Sequence, residues 1–204
     1  MSMTIKRKGM LLIISGPSGA GKGTLCKLLL ERDPSFAFSC SVTTRGPRNG
    51  EVEGVDYRFI SEAEFQRMID NDELLEHATV HGHLYGTPKQ EIEDALTRQK
   101  NVLLDIDSQG AASVMRKTRD YVSVFVIAPS FEELRKRLEK RNAECPADIE
   151  RRLCNAYGEI RKIDLYDYAI INDDVERAYG DLEHIVNAEK LRTVRFLPTI
   201  AEED

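Results

Sequence analysis

The chain has 204 residues, enough for one well-cored domain with insertions and too few for two large domains. Charged residues make up 31% of it and the formal net charge is −6, which argues against a nucleic acid partner held by its phosphates. The four cysteines show no CxxC pair or metal-ligand spacing, and the apolar run at residues 10–14 is too short for a signal peptide or a membrane span. We therefore expect a cytoplasmic protein with reduced cysteines and no membrane partner.

The first predicted elements are a strand, a glycine-rich turn and a helix in direct succession. The apolar run leads into Ser-Gly-Pro-Ser-Gly-Ala-Gly-Lys-Gly-Thr-Leu at residues 15–25. Gly16, Gly19 and Gly21 let the backbone adopt positive φ and bring its NH groups close to an anion. The helix that starts near Lys22 directs the positive end of its dipole to the same place. A polyphosphate cradle explains this combination better than a merely structural turn, so we predict a phosphate-binding loop.

The residue after the lysine is Gly23, and the hydroxyl comes one position later, at Thr24. This hydroxyl is therefore placed to meet a phosphate more readily than to bind magnesium directly. The Gly-Lys-Gly-Thr spacing is similar to that of kinases acting on small nucleotides rather than to that of large motor ATPases.

A mixed segment follows the first helix, which ends before Pro34. The pattern predicts a strand at residues 38–42 and then a turn-rich loop with two arginines at 43–51. A second strand at 56–59 and a helix at 61–70 follow. Two further strands are predicted at 74–76 and 83–85. Ser61 and Glu64 form the capping box of that helix, and Thr87-Pro88 is predicted to cap the next one. Residues 37–89 therefore form a small unit inserted into an α/β domain.

The α/β domain then resumes. Residues 101–105 are predicted to form an apolar strand that ends in Asp105. A magnesium ion beside a phosphate loop needs a carboxylate ligand at such a position. Further strands are predicted at 121–128 and 168–171, with helices at 131–141, 146–163 and 175–186; the tail receives no assignment. Because unalternated apolar runs fit a parallel sheet covered on both faces, we predict a three-layer α/β fold with right-handed crossovers.

Separate motifs occur in one order at residues 16–24, 41–48, 50–57, 76, 85–87, 104–110 and 171–174. Together they resemble the guanylate kinase family from end to end. The resemblance implies phosphoryl transfer from ATP to GMP, giving ADP and GDP in purine nucleotide metabolism, with Mg²⁺ as cofactor. It also implies a P-loop kinase fold with a parallel core (1–36, 90–136 and 165–204), an acceptor-binding insertion (37–89) and a helical lid (137–164).

The resemblance also assigns site residues. It places ATP on Gly16, Pro17, Ser18, Gly19, Ala20, Gly21, Lys22, Gly23, Thr24, Arg137, Asn172 and Asp173, the two residues after the last strand meeting the adenine. It places GMP on Ser41, Arg45, Arg48, Tyr57, Glu76, Tyr85, Thr87, Asp105 and Asp107. The catalytic residues it implies are Lys22, Arg48, Arg141 and Arg152, and the metal ligands are Thr24 and Asp105, Asp105 being preferred over Asp107 for the metal.

The chemistry of these side chains agrees with that assignment. Two phosphate charges about 4 Å apart repel by roughly 4 kcal/mol at an effective dielectric near 20, so positive groups must surround the transfer. Arg45 and Arg48 can grip an acceptor phosphate, and Tyr57 and Tyr85 can donate hydrogen bonds to it. Lid arginines can neutralise the charge that develops on the transferring group. No catalytic base is needed, because the attacking phosphate oxygen is already ionised.

Guanine presents its N1–H and its 2-amino group side by side, and the carboxylate of Glu76 can accept from both. Adenine offers a lone pair there, and losing each charged hydrogen bond costs roughly 1.5–3 kcal/mol. Three alternatives remain: a kinase for another monophosphate, a GTPase, which lacks its Asn-Lys-x-Asp motif here, and a non-catalytic guanylate-kinase-like interaction module. Such modules tend to have lost the phosphate loop, which this chain keeps.

Overall fold

The computed structural model describes residues 3–48, 50–80, 82–141 and 146–200. Its strands are β1 (Met3–Arg7), β2 (Leu11–Ser15), β3 (Phe36–Phe38), β4 (Val42–Thr43), β5 (Arg58–Phe59), β6 (Leu74–Val80), β7 (His83–Pro88), β8 (Asn101–Asp105), β9 (Val122–Ile127), β10 (Tyr168–Ile171) and β11 (Phe196–Ile200). Its helices are α1 (Lys22–Arg32), α2 (Glu62–Asp70), α3 (Lys89–Thr97), α4 (Ser108–Lys117), α5 (Phe131–Arg141), α6 (Pro146–Ile160) and α7 (Val175–Lys190). No helix of the described part has the length and apolar character needed to cross a bilayer.

A parallel sheet with the strand order β10-β9-β2-β8-β3 forms the centre of the molecule. Every residue of β2 is buried, because helices cover both faces of the sheet. Leu12 and Ile14 pack with α1 and α7 on one face, whereas Leu11 and Ile13 pack with α3 and α4 on the other. The predicted three-layer α/β architecture with a parallel core sheet is confirmed.

A second, mixed sheet has the strand order β5-β4-β7-β6. Helix α2 covers it with Phe65 and Met68, which pack against Val42 and Leu74 in a separate small core. Ser61 caps this helix as predicted, since its hydroxyl accepts from the backbone NH of Glu64 at 3.1 Å.

Helices α5 and α6 form a third packing unit over the carboxyl edge of the core sheet. Leu134 and Leu138 of α5 pack against Ile149, Leu153 and Ala156 of α6. A Cβ built on Gly19 of the predicted phosphate loop would lie 3.1 Å from side-chain atoms of both leucines. The helical pair therefore rests directly on the loop.

Two local expectations were wrong, and a strand of the tail was not predicted. The strand expected over 38–42 is two strands in different sheets: β3 ends at Phe38 in the core sheet, and β4 begins at Val42 in the second sheet. Thr87 does not cap α3; it lies in β7, and its hydroxyl bonds a carboxylate instead. The unassigned tail contains β11, which pairs antiparallel with β1.

Candidate active site

Fourteen of the predicted site residues line one cavity of 740 Å³, a volume typical of small-molecule sites. Those that line it are Gly16, Ser18, Gly19, Gly21, Lys22, Gly23, Ser41, Arg48, Tyr57, Glu76, Tyr85, Asp105, Asp107 and Arg152. Those outside its lining are Pro17, Ala20, Thr24, Arg45, Thr87, Arg137, Asn172 and Asp173. Arg141 ends α5, and its side chain lies outside the described residues.

The phosphate loop occupies one end of the cavity, between β2 and α1. Gly16, Gly19 and Gly21 have φ values of 137°, 88° and 94°, which only glycine adopts readily. A Cβ on Gly16 would also lie 2.1 Å from the carbonyl oxygen of Val126. Helix α1 has no side-chain cap and no acidic residue in its first turn, so its N-terminus is open to an anion.

Lys22, the first residue of α1, folds back over this loop. Its ammonium donates to the carbonyl oxygens of Gly16 at 2.5 Å and Pro17 at 3.2 Å. The loop carbonyls thus hold the lysine at the site where a phosphate would bind. A bound polyphosphate would offer this ammonium stronger, charged acceptors in place of the two carbonyls.

A buried arginine, Arg45, lies behind the part of the cavity lined by Arg48, Tyr57 and Tyr85, and other side chains hold it in place. Arg45 donates to both oxygens of Glu51, at 2.9 and 2.8 Å, and to the hydroxyl of Tyr85 at 3.0 Å. Its guanidinium lies 5.3 Å from the centre of the Tyr57 ring. Glu51 also accepts from the backbone NH of Arg48 at 2.7 Å. Glu51 therefore orders both arginines of the loop, while Arg48 itself lines the cavity.

The electrostatics of this cluster keep its groups in their useful protonation states. Burial alone would raise the pKa of Glu51, but the hydrogen bonds from Arg45 and Arg48 outweigh it and hold that pKa below its ordinary value. Burial, reinforced by the charge of Asp105, raises the pKa of Tyr57 to about 12. Its hydroxyl therefore stays protonated at neutral pH and can donate to an acceptor phosphate.

Glu76 is a buried carboxylate on β6, only 3% exposed, facing the same cavity. The hydroxyl of Thr87 on the neighbouring strand β7 donates to its Oε1 at 2.5 Å. A Cβ built on Gly110 of α4 would lie 2.7 Å from Oε2, so the close approach of the helix requires a glycine there. Burial raises the pKa of Glu76 to about 7, against the lowering effect of the Thr87 hydrogen bond.

Asp105, the last residue of β8, and Asp107, two positions later, lie at different ends of the cavity. Asp105 faces the phosphate loop, since a Cβ on Gly23 would lie 3.8 Å from its Oδ2. Asp107 caps α4 by accepting from the NH of Gly110 at 2.8 Å, which places it beside Glu76. No three His, Cys, Asp or Glu side chains of the described residues cluster as a complete metal site. One carboxylate beside a phosphate loop nevertheless suits Mg²⁺, which takes many of its ligands from water and substrate phosphates.

Helices α5 and α6 contribute one arginine to the phosphate loop. Arg152 of α6 donates to the hydroxyl of Ser18 at 3.1 Å. Arg137 of α5 instead pairs with Glu133 on its own helix at 2.9 Å, away from the cavity lining. Of the predicted lid arginines with described side chains, Arg152 is the one that reaches the phosphate loop.

Asn172 and Asp173 follow β10 at the same edge of the sheet. Asn172 is 2% exposed and donates from its side-chain amide to the carbonyl oxygen of Ala20 at 2.8 Å. Asp173 pairs with Arg177 in the first turn of α7. The structure thus brings Asn172 to the phosphate loop and Asp173 to the surface beside it.

The sequence motifs included Glu51 and Gly110 without assigning either a role, and Glu159 was missed. Glu51 carried a signal, since an acidic residue three positions after Arg48 can fold back on the loop. Glu159 lies on α6 seven residues after Arg152, on the same face, and lines the cavity. Burial raises the pKa of Glu159, opposed by the positive charge of Lys22. A count of helical positions from Arg152 could have identified it.

The fold and the site together define a P-loop kinase of small nucleotides. The fold has a parallel sheet covered by helices. In the site, a glycine loop and its lysine face guanidinium and carboxylate groups across the cavity. The family model described as Guanylate kinase matches residues 8–189. The chain belongs to the guanylate kinase family, which consists of ATP-dependent nucleoside monophosphate kinases.

Its relatives match over almost their whole length. The chain is 48% identical to guanylate kinase of Clostridium perfringens, covering 96% of this chain and 90% of the relative. It is 44% identical to that of Agrobacterium fabrum, covering 99% and 95%. The crystal structure of guanylate kinase from Anaplasma phagocytophilum superposes with a TM-score of 0.81 at 38% identity, covering 95% of this chain and 93% of that one. These relatives favour neither another phosphotransferase nor a non-catalytic module.

Proposed function

We propose that the protein transfers the γ-phosphoryl group of ATP to GMP, giving ADP and GDP, with Mg²⁺ bound alongside ATP. The observation that supports this most is the position of Glu76. A buried carboxylate, held by Thr87, faces the same cavity as the phosphate loop and can accept two hydrogen bonds from a purine edge. Guanine has two donors on that edge, whereas adenine has none on its corresponding ring nitrogen.

The donor nucleotide binds with its phosphates on residues 16–24. The backbone NH groups of the loop and the N-terminus of α1 surround the phosphates, and Lys22 exchanges its carbonyl partners for phosphate oxygens. Asp105, with the hydroxyl of Thr24 as a second ligand, would hold Mg²⁺. When bound, the ion neutralises charge on the β- and γ-phosphates. The adenine contact predicted for Asp173 stays a prediction of the loaded state, whereas the side-chain amide of Asn172 already donates to the carbonyl oxygen of Ala20.

The acceptor binds in the unit formed by residues 37–89. Arg48 and Arg45 hold the GMP phosphate, and Tyr57 and Tyr85 donate hydroxyl hydrogen bonds to it. Ser41 and Asp107 complete the guanine and ribose contacts around Glu76. Since the acceptor oxygen is already ionised, the protein orients it toward the γ-phosphate and shields the charges of both phosphates.

The lid of residues 137–164 closes over both nucleotides. Arg152 already touches Ser18, and Arg141 joins it at the transferring group. Closure excludes water, which would otherwise accept the phosphoryl group. Small-angle scattering should show a compaction with both nucleotides bound that neither nucleotide alone produces to the same extent; no change in the radius of gyration would contradict closure.

A panel of acceptors tests the proposal. ADP release, coupled to an indicator reaction, is measured with GMP, AMP, UMP and dTMP at equal concentration. We expect turnover with GMP to exceed that with the other three by at least a hundredfold, and Glu76→Ala to remove most of this preference. Comparable rates with AMP, or a preference that survives Glu76→Ala, would contradict the assignment of the acceptor.

A cytoplasmic location is consistent with the free thiols of Cys26, Cys40 and Cys154.

A further inference from the structure

Asn172 lies where the last strand of the core sheet meets the phosphate loop. Its backbone NH donates to the carbonyl oxygen of Ile127 at 2.8 Å, so it extends the ladder between β10 and β9 by one residue. Its side chain is 2% exposed. In the sheet, β9 separates β10 from β2, the strand that leads into the loop. Asn172 therefore approaches the loop from an independent part of the chain.

The contact between the two is a hydrogen bond to the loop backbone. The side-chain Nδ2 of Asn172 donates to the carbonyl oxygen of Ala20 at 2.8 Å. Ala20 is completely buried and lies between two glycines with positive φ, Gly19 and Gly21. The bond fixes the direction of the Ala20 carbonyl and therefore the peptide plane that carries the NH of Gly21.

The packing at Gly21 is equally specific. A Cβ built on Gly21 would lie 2.1 Å from Nδ2 of Asn172. Gly21 is therefore glycine for two independent reasons, its positive φ and the amide that occupies the space beside it. The turn and the asparagine fit each other without room for another atom.

The side-chain oxygen of Asn172 shows that the hydrogen bond from its nitrogen is the reason for an asparagine here. Its Oδ1 is buried and has no hydrogen-bond partner among the residues that the structure describes. Burying an unpaired oxygen disfavours folding, and an apolar side chain of similar volume would avoid that cost. The N–H bond to Ala20 is thus the feature that favours asparagine over leucine at this position.

We propose that Asn172 is a positioning residue that holds the turn at Ala20 and Gly21 in the shape that presents its NH groups to the donor polyphosphate. Its effect on the donor passes through the loop and not through the purine base. This inference rests on the proposed binding of ATP by residues 16–24. It predicts that every ligand of the loop, with or without a base, depends on Asn172.

Three ligands distinguish an effect on the phosphate loop from an effect on the purine base: inorganic tripolyphosphate, ATP and ITP. Tripolyphosphate has no base, and ITP carries a carbonyl where adenine has its 6-amino group. We measure the inhibition constant of tripolyphosphate against ATP, the KM values of ATP and ITP, and the Kd of GMP. For Asn172→Ala we expect the tripolyphosphate constant and both donor KM values to rise by a similar factor of about five, with an unchanged Kd for GMP.

Asn101→Ala is the matched control. Asn101 is also a buried asparagine of the core sheet, 7% exposed, and it accepts from the NH of Met10 at 3.0 Å and donates to the hydroxyl of Ser35 at 2.9 Å. It lies at the opposite end of the strands from the loop. We expect Asn101→Ala to lower the stability of the fold and to leave the tripolyphosphate constant of the folded protein within twofold of the wild-type value.

Two outcomes would overturn the inference. If Asn172→Ala weakens ATP alone, with tripolyphosphate and ITP unchanged, Asn172 acts on the adenine. If Asn172→Ala and Asn101→Ala raise the tripolyphosphate constant equally, the effect is general destabilisation. Asn172→Ser, which keeps a polar group too short to reach Ala20, gives the same test if the alanine variant does not fold. A wild-type protein that leaves GMP unphosphorylated would instead contradict the proposed function.

Discussion

The hydroxyl of Thr87 lies 2.5 Å from Oε1 of Glu76, within a cross-strand pair of β6 and β7. This bond orients a buried carboxylate that faces the cavity and lies beside Asp107 and Gly110. The proposed guanine contact of Glu76 depends on the direction that this bond gives the carboxylate. That contact requires the ionised carboxylate, whereas burial raises the pKa of Glu76 and favours the protonated form.

The affinity for GMP should therefore depend on pH. Burial raises the pKa of Glu76 to about 7 in the empty protein, and guanine donates two hydrogen bonds to the ionised form alone. Binding of GMP must then release a proton below that pKa. We expect the Kd of GMP to rise about tenfold between pH 8 and pH 6, as for a single group with this pKa.

Calorimetry in buffers of different ionisation enthalpy measures this proton release directly. Glu76→Gln is the control, because it retains the titration of the GMP phosphate and loses that of the carboxylate. Equal pH dependence in the wild-type protein and the variant would show that Glu76 does not titrate with binding.

The free energy of unfolding should also depend on pH, and the raised pKa of Glu76 determines the direction of that dependence. Because the pKa of Glu76 is raised in the folded state, the native protein binds more protons than the unfolded chain between about pH 4.5 and pH 7. The contribution of Glu76 to the free energy of unfolding is therefore favourable below this window and is lost as the pH rises through it. Glu76→Gln should stabilise the protein at pH 8 by up to about 3 kcal/mol relative to its effect at pH 5.

Urea unfolding of both proteins at the two pH values measures this difference. The slope of the free energy against urea should stay the same in both proteins, because the substitution leaves the buried surface unchanged. A stability difference between variant and wild type that is the same at pH 5 and pH 8 would contradict the raised pKa.

Gly110→Ala should impair the acceptor site alone. The added Cβ would lie 2.7 Å from Oε2 of Glu76 and 3.3 Å from Oδ1 of Asp107, so the carboxylates must move. We expect the KM of GMP to rise by roughly tenfold or more, because about one charged hydrogen bond to the acceptor is lost. The KM of ATP should stay unchanged. Gly180→Ala in α7 is the matched control, since a Cβ there meets nothing within 4 Å. It should stabilise the helix by about 1 kcal/mol and leave both KM values unchanged.

The loop around Arg45 and Arg48 should depend on Glu51. Glu51→Gln removes the charge that pairs with Arg45 and weakens the bond to the NH of Arg48. We expect the KM of GMP to rise by about tenfold, since hydrogen bonds to charged groups contribute about 1.5–3 kcal/mol. Steady-state kinetics with each nucleotide varied in turn measures this, with Glu62→Gln at the exposed start of α2 as the control. A KM of ATP that rises as much as that of GMP would refute a local role.

The sequence predicted those parts of the fold that depend on neighbouring residues. The phosphate loop, the strands with continuous apolar runs and the helix capped by Ser61 are each encoded within a few positions. The wrong expectations concern long-range choices. Nothing local separates β3 from β4 between residues 38 and 42, because the chain changes sheets there. Strand β11 was missed because its partner β1 lies at the other end of the chain.

The candidate site shows the same division. Thr87 precedes a proline at a helix start, which is typical of a cap, yet its hydroxyl contacts Glu76 on the adjacent strand. The need for glycine at 110 appears only when α4 is placed against β6. Asn172 ends a strand that is distant in sequence from the loop it contacts. Such residues are identified by packing and not by spacing.

In the proposed reaction, residues 16–24 hold ATP while Glu76 and Arg48 present GMP to it. The most direct measurement follows the label of γ-³²P-ATP in single-turnover reactions with GMP, for the wild-type protein and for Lys22→Ala. We expect the label to appear in GDP with the wild-type protein. We expect Lys22→Ala to slow its appearance at least a hundredfold, the effect of one lost charge at the transferring group. Label released as inorganic phosphate, or transferred to GMP equally fast by Lys22→Ala, would contradict the proposed reaction.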